Sequence, residues 1–246
     1  MKRTWKSFSD FFEKYALILH IPLAMLLVLV NESLSRHSLI EGFGFITNHT
    51  GAFLYNSFII YVILLLVFLS PRRLFMRIVM MAIVILFGII NCIILNNRVT
   101  PFGFTDLAMI GDLLTMQNTK YFTAQQAGIS LIAILIFVFL MVMLHMHSKK
   151  KTVQTKLWVR ILVCAIGFAS LFPVTKACQA AGVVQTYFGN LAQGYLDNGY
   201  AYGFAMSVVG RGMNEPSGYS EKAVDYIIKD TEKGDSTLGS VKPNII

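Results

Sequence analysis

Apolar positions in this chain run on instead of alternating. Five stretches are long and continuous enough to cross a bilayer: Tyr15–Glu32, Ala52–Leu69, Phe75–Leu95, Ala127–Met146 and Leu157–Val174. A crossing helix needs about 20 residues at ~1.5 Å each. Pro22 stands inside the first run and is expected to kink it. That run is too long for the apolar core of a cleavable leader, and the following "VNESLSRHS" is a poor cleavage site.

Shorter patterns lie between and beyond the spans. After Pro101, Thr105 is placed as an N-cap, Asp106 falls in the first turn, and Leu107, Ile110 and Leu114 follow at helical spacing. A short helix lying on the membrane is expected there. Past the fifth span, Phe188, Leu191, Ala192, Tyr195 and Leu196 recur at i, i+3, i+4, i+7 and i+8, and "DNG" at Asp197–Gly199 stops the stripe. A second apolar run, Ala201–Val209, ends at Gly210. Both are too short to cross and read as interfacial helices.

The two ends of the chain differ in character. Residues 1–14 mix basic groups with Trp5, Phe8, Phe11 and Phe12, an amphipathic lead-in at the inner surface. Near the other end, Ser220 caps a helical pattern carrying Val224, Ile227 and Ile228, and Thr231–Ser240 is polar and linker-like. "SVKPNII", Ser240–Ile246, then looks like the first step into a buried strand. The expected plan is a cytoplasmic lead-in (1–14), a five-helix transmembrane domain (15–176), juxtamembrane interfacial helices (177–230) and a linker (231–246). No internal repeat of the kind that builds inverted-repeat transporters is evident.

Composition agrees with an all-α membrane protein. Hydrophobic residues make up 55% of the 246, charged residues only 14%, and mean hydropathy is +0.62; soluble domains average about 25% charged. The net charge of +8 could suggest nucleic acid, but its distribution argues otherwise. Twelve of the 21 Lys and Arg flank the spans on one side: Lys2, Arg3, Lys6, Lys14, Arg72, Arg73, Arg77, Lys149, Lys150, Lys151, Lys156 and Arg160. The two opposite loops hold Arg36, Arg98 and Lys120. The positive-inside rule then puts the N-terminus in the cytoplasm and the chain beyond the fifth span outside a plasma membrane. Basic charge here sets topology and is no nucleic-acid footprint.

Candidate chemistry is sparse. Cys92, Cys164 and Cys178 are odd in number and lack metal-ligand spacing, and the first two, inside apolar runs, read as small packing residues. His145 and His147, at i and i+2, point to different sides of a helix. "GNLAQGYLDNGYAYG" has neither the preceding strand nor the spacing of a nucleotide loop. No cofactor or metal is therefore expected within this chain. Polar groups near the span ends remain. Glu32, Asn56, Asn91, Asn96 and Asn97 read as ordinary helix-end polarity; for Arg98 and Asp106 that reading stands level with another, in which Arg98 meets a lipid phosphate or pairs with Asp106 to fix its loop.

Three stretches, in order, resemble one family. "NNRVTPFGFTDL" (Asn96–Leu107) is similar to an outer-loop pattern of Arg, Thr-Pro and Asp-Leu; "NGYAYGFAMSVVGRGMNEPSGYS" (Asn198–Ser220) is similar to the segment after the last span; "KPNII" (Lys242–Ile246) looks like the entry to the first strand of an extracellular catalytic domain. The family is the lipoteichoic acid synthase group of membrane-anchored, sulfatase-superfamily phosphoglycerol transferases of Gram-positive bacteria. The resemblance implies an α/β sulfatase-like domain in which a threonine nucleophile works beside a divalent metal, typically manganese. The chain stops before any residue of that site. What carries over is Arg98, Pro101 and Asp106 in the loop, and Pro216, Gly218, Tyr219 and Ser220 at the juncture.

On this resemblance the chain is expected to be the membrane anchor of such a transferase and inactive by itself. Its expected partners are membrane phospholipid, its own catalytic domain and a possible second copy. Small residues in "KACQAAG" (Lys176–Gly182) would permit release by cleavage. The rival expectation is a self-contained, non-enzymatic partner or regulatory subunit of an envelope enzyme or transporter. A transporter or channel ranks below both, because the spans offer no ring of pore charges.

Overall fold

The computed structural model describes residues 15–109, 137, 139–146 and 156–209. Among these residues the chain is mostly helical, with no strand. Four of the helices among the described residues are long and apolar enough to cross a membrane: α1 (Ala16–Ser35), α3 (Thr50–Leu64, tightening into a 3₁₀ turn at Leu65–Leu69), α4 (Arg73–Leu95) and α6 (Leu157–Ala180). This is the architecture of an all-α membrane protein. Of the expected span Ala127–Met146, residues 137 and 139–146 are helical. The rest of it, the lead-in 1–14, the juncture residues Pro216, Gly218, Tyr219 and Ser220, and the linker 231–246 lie outside the described residues.

α1 runs unbroken through Pro22 and extends three residues past the expected end at Glu32. α6 likewise continues through Pro173 to Ala180. Pro removes one backbone donor, a loss that neighbouring helices and side chains can offset in a membrane helix.

A short helix absent from the sequence-based plan, α2 (Leu39–Asn48), turns the chain between the first two spans. Ser38 is its N-cap, and its hydroxyl accepts the Glu41 N–H at 3.3 Å. The Ser-x-x-Glu spacing of Ser38 and Glu41 is the signal that could have announced it. The turn into α2 closes as a Schellman motif: Ser38 N–H reaches Ser33 O at 3.1 Å and His37 N–H reaches Leu34 O at 3.2 Å. His37 occupies the left-handed position at φ +51°, where glycine is usual.

α3 is the most buried span and α6 the least. Leu27 and Val28 of α1, Phe45 of α2, Phe53, Ile59, Ile60 and Leu64 of α3, and Val84 of α4 form the core. Lipid tails are as apolar as these side chains, so helix association depends on close fit and internal hydrogen bonds. Gly88 of α4 supplies the fit: a Cβ there would lie 2.2 Å from Asn31 Oδ1 of α1. Asn31 Nδ2 in turn donates to Val84 O at 3.2 Å.

At the end where α1 begins, the basic residues gather. Arg77 Nε donates to His20 Nε2 at 3.1 Å, and both side chains are buried. Arg160 Nη1 donates to Phe68 O and Leu69 O, the carbonyls left over where the 3₁₀ turn stops. Arg72 donates to the carbonyl of His145, tying the 139–146 helix to α4.

Candidate functional site

At the opposite end of the bundle, buried polar side chains from the spans hold the segment that follows α6. That segment contains α7 (Leu191–Asn198) and α8 (Tyr200–Val209), joined through Gly199. α7 is capped locally, its Asn190 side chain accepting the Gln193 N–H at 3.2 Å. Gly199, at φ +87°, breaks the helix where "DNG" predicts, and α8 restarts at once.

A helix start leaves its first N–H groups without intrahelical partners. In α8 these are supplied by other helices. Tyr200 N–H donates to Glu32 Oε1 of α1 at 2.7 Å, and Tyr202 N–H donates to Asn56 Oδ1 of α3 at 2.8 Å. Asn56 Nδ2 donates to Asn198 O at 2.7 Å and to Ala52 O at 2.7 Å, so both ends of its amide are used. A negative carboxylate at the positive end of α8 also suits the helix dipole. The other Glu32 oxygen pairs with Arg36, whose Nη2 reaches forward to Leu196 O at 2.6 Å. Gly199 must be glycine for a second reason, since a Cβ would stand 2.5 Å from Asn56 Nδ2.

Asn91 of α4 extends the lock to the loop after the third span. Its Nδ2 donates to Ser35 Oγ at 2.9 Å and its Oδ1 accepts the Phe102 N–H at 2.8 Å. Glu32, Asn56 and Asn91 are each at most 1% exposed. Reading them as ordinary helix-end polarity is therefore corrected: groups this deep are kept because each has a partner.

The loop residues singled out in the sequence come together. Arg98 Nη2 donates to Asp106 Oδ2 at 2.6 Å and to Pro101 O at 3.2 Å, while Arg98 Nε donates to Thr100 O at 2.9 Å. The pairing of Arg98 with Asp106 is thus present. The N-cap of α5 (Phe104–Ala108) is Gly103, not Thr105. Asp106 decides this, because its Oδ2 reaches back to the Gly103 N–H at 2.8 Å. Phe104 N–H then donates to Ser207 Oγ of α8 at 2.8 Å, joining this loop to the tail.

Burial opposes ionisation of Asp106, but the hydrogen bonds from Arg98 and Gly103 and the Arg98 charge outweigh it and hold the carboxyl below its ordinary range. Burial pushes the Tyr195 phenol up to about 12, against a hydrogen bond with Ser207, and raises Tyr200 further. Both phenols stay neutral. With Phe102, Phe87 and Phe204 they form an aromatic cluster in which Phe87 meets Phe102 and Phe204 edge-on at 5.8 and 5.2 Å. Within the predicted α7 stripe, Tyr195 is buried here and Leu191 and Leu196 remain exposed.

The side chains of this site position and hold backbone groups. Among the described residues no three His, Cys, Asp or Glu gather as metal ligands. Cys92 Sγ lies beside His37 Nδ1 at 3.3 Å. No family model, curated protein or solved structure matches this chain.

Proposed function

We propose that this chain is a membrane anchor that holds the segment following its last described span at a set height and orientation on the membrane surface. The observation that carries this reading is the capping of α8 by Glu32 and Asn56 from two different spans. A tail that was only tethered would need one covalent connection and no buried partners. Fixing a segment at the surface raises its effective concentration toward lipid. The distribution of basic residues favours the lock on the outer face and the N-terminus in the cytoplasm.

The specific form of this proposal rests on the sequence resemblance: the anchor of a lipoteichoic acid synthase-like phosphoglycerol transferase. The divalent metal would then belong to the domain that the anchor positions. The test is to delete the gene in its source cell and measure glycerol-phosphate polymer in the envelope, then complement with the natural gene or with Glu32→Ala. Loss of polymer, restored by the natural gene and poorly by Glu32→Ala, is expected. Unchanged polymer after deletion overturns the transferase form. Full rescue by a Glu32→Ala protein whose tail is shown by proteolysis to be undocked overturns the positioning role.

A further inference from the structure

Beside the lock lies a cleft of about 270 Å³, open at the end of the bundle where α1 and α4 stop. Its walls are mainly apolar, with Leu95, Ala192 and Leu196 among them, yet Arg36, His37 and Arg98 also line it. Among the described residues no carboxylate does: Glu32 and Asp106 bind their arginines from outside the lining. The cleft therefore shows guanidinium groups to whatever enters.

We propose that this cleft holds one membrane glycerophospholipid, its phosphate against Arg98 and Arg36 and an acyl chain along Leu95, Ala192 and Leu196. Arg98 has donors to give. Its Nε and Nη2 are engaged, Nη1 has no partner among the described residues, and its side chain is 42% exposed. Arg36 is only 8% exposed, paired with Glu32 and bound to Leu196 O, so Arg98 is the main phosphate contact and Arg36 shapes the wall beside it. Guanidinium matches phosphate in charge and in its fork of donors. Neither half of the ligand suffices alone. Inorganic phosphate would leave the apolar wall wet, and an uncharged lipid would offer Arg98 Nη1 no anionic acceptor. The level is also right, since Ser35 and Leu95 end their spans here, where headgroups lie.

The inference rests on the bundle lying in a membrane and is independent of what the tail positions. Native mass spectrometry of the purified full chain in detergent tests it, with dioctanoyl phosphatidic acid, dioctanoylglycerol and inorganic phosphate as probes. One phosphatidic acid per chain should be retained, and dioctanoylglycerol about tenfold more weakly, the effect of losing a charge-assisted hydrogen bond. Arg98→Ala should weaken retention by a similar factor. Asp106→Asn, which also breaks the ion pair but keeps the guanidinium, should not. Ala192→Phe, which fills the chain slot and touches neither arginine, should also release the lipid, and it decides the matter alone if Arg98→Ala does not fold. Equal retention of the two lipids, or retention unaffected by Ala192→Phe, overturns the proposal. So does a loss in Asp106→Asn equal to that in Arg98→Ala, which would make the ion pair's hold on the loop the cause.

Discussion

Glu32 Oε1 accepts the Tyr200 N–H at 2.7 Å, although 168 positions separate them. One carboxylate thus closes the start of α8 and, through its other oxygen, neutralises Arg36. Glu32→Ala leaves a buried arginine and an open helix start together. Breaking a buried pair costs about 3–5 kcal/mol, so the melting temperature in detergent should fall sharply. Glu32→Gln keeps an acceptor for Tyr200 and should lose less. Replacing both partners by methionine should recover much of the loss, and a double mutant no better than Glu32→Ala would show that the pair is not the source.

Asn56 performs the same service for Tyr202 with a neutral amide. Asn56→Ala strands the Tyr202 N–H and the Asn198 carbonyl, at a cost of about 1–3 kcal/mol for each buried unsatisfied group. Gly199→Ala attacks the same contact from the other side, adding the cost of an essentially glycine-only backbone conformation, about 1–3 kcal/mol, to a direct clash with Asn56. Both variants should speed protease cleavage between α6 and α8 while leaving the spans intact. Tail cleavage at the natural rate in both would refute the docking of α8.

What the sequence disclosed and what it withheld divide along contact range. Continuous apolar runs announced α1, α3, α4 and α6, because membrane helices need no partner to be recognised. Arg98 and Asp106 were legible as a pair because only eight positions, with Pro101 between, separate them. Glu32, Asn56 and Asn91 were not. Their types fit any helix end; the N–H groups that Glu32 and Asn56 bind, at Tyr200 and Tyr202, lie more than a hundred positions away, and Asn91 joins the Phe102 N–H to Ser35 of another span. The α7 stripe had a related ambiguity: periodicity marks an apolar face but does not say whether protein or lipid covers it, and here Tyr195 meets protein while Leu191 and Leu196 do not.

His37 gives a prediction of opposite sign. At φ +51° it carries a strain that glycine would relieve, less the unfolded-state entropy that glycine adds. His37→Gly should therefore stabilise by about 0.5 kcal/mol, and His37→Val, β-branched at the same angle, should destabilise by more than 1 kcal/mol, about the cost of the left-handed conformation. Thermal melts of the two variants check this. Equal melting temperatures would mean that the turn relaxes away from the Schellman geometry.

The loop after the third span should respond to acid. Asp106 has a folded-state pKa below its ordinary value, so the unfolded loop takes up its proton at a higher pH than the folded one. Its contribution to loop order is fully present above the ordinary carboxylate pKa and disappears as pH falls through the lowered one. At neutral pH the carboxylate holds the Gly103 N–H and Arg98 together. Below that window the protonated acid loses its attraction for Arg98 and accepts the Gly103 N–H more weakly. Hydrogen exchange at the Gly103 amide, corrected for its intrinsic pH dependence, should lose protection over that range, and Asp106→Asn should have low protection that no longer varies with pH. Because Arg98 is well exposed, the pair is screened by salt, and raising ionic strength should weaken protection in the natural protein while leaving the Asn variant unchanged. Protection that stays constant across the carboxylate range would mean that Ser207, through Phe104, holds this loop without help from Asp106.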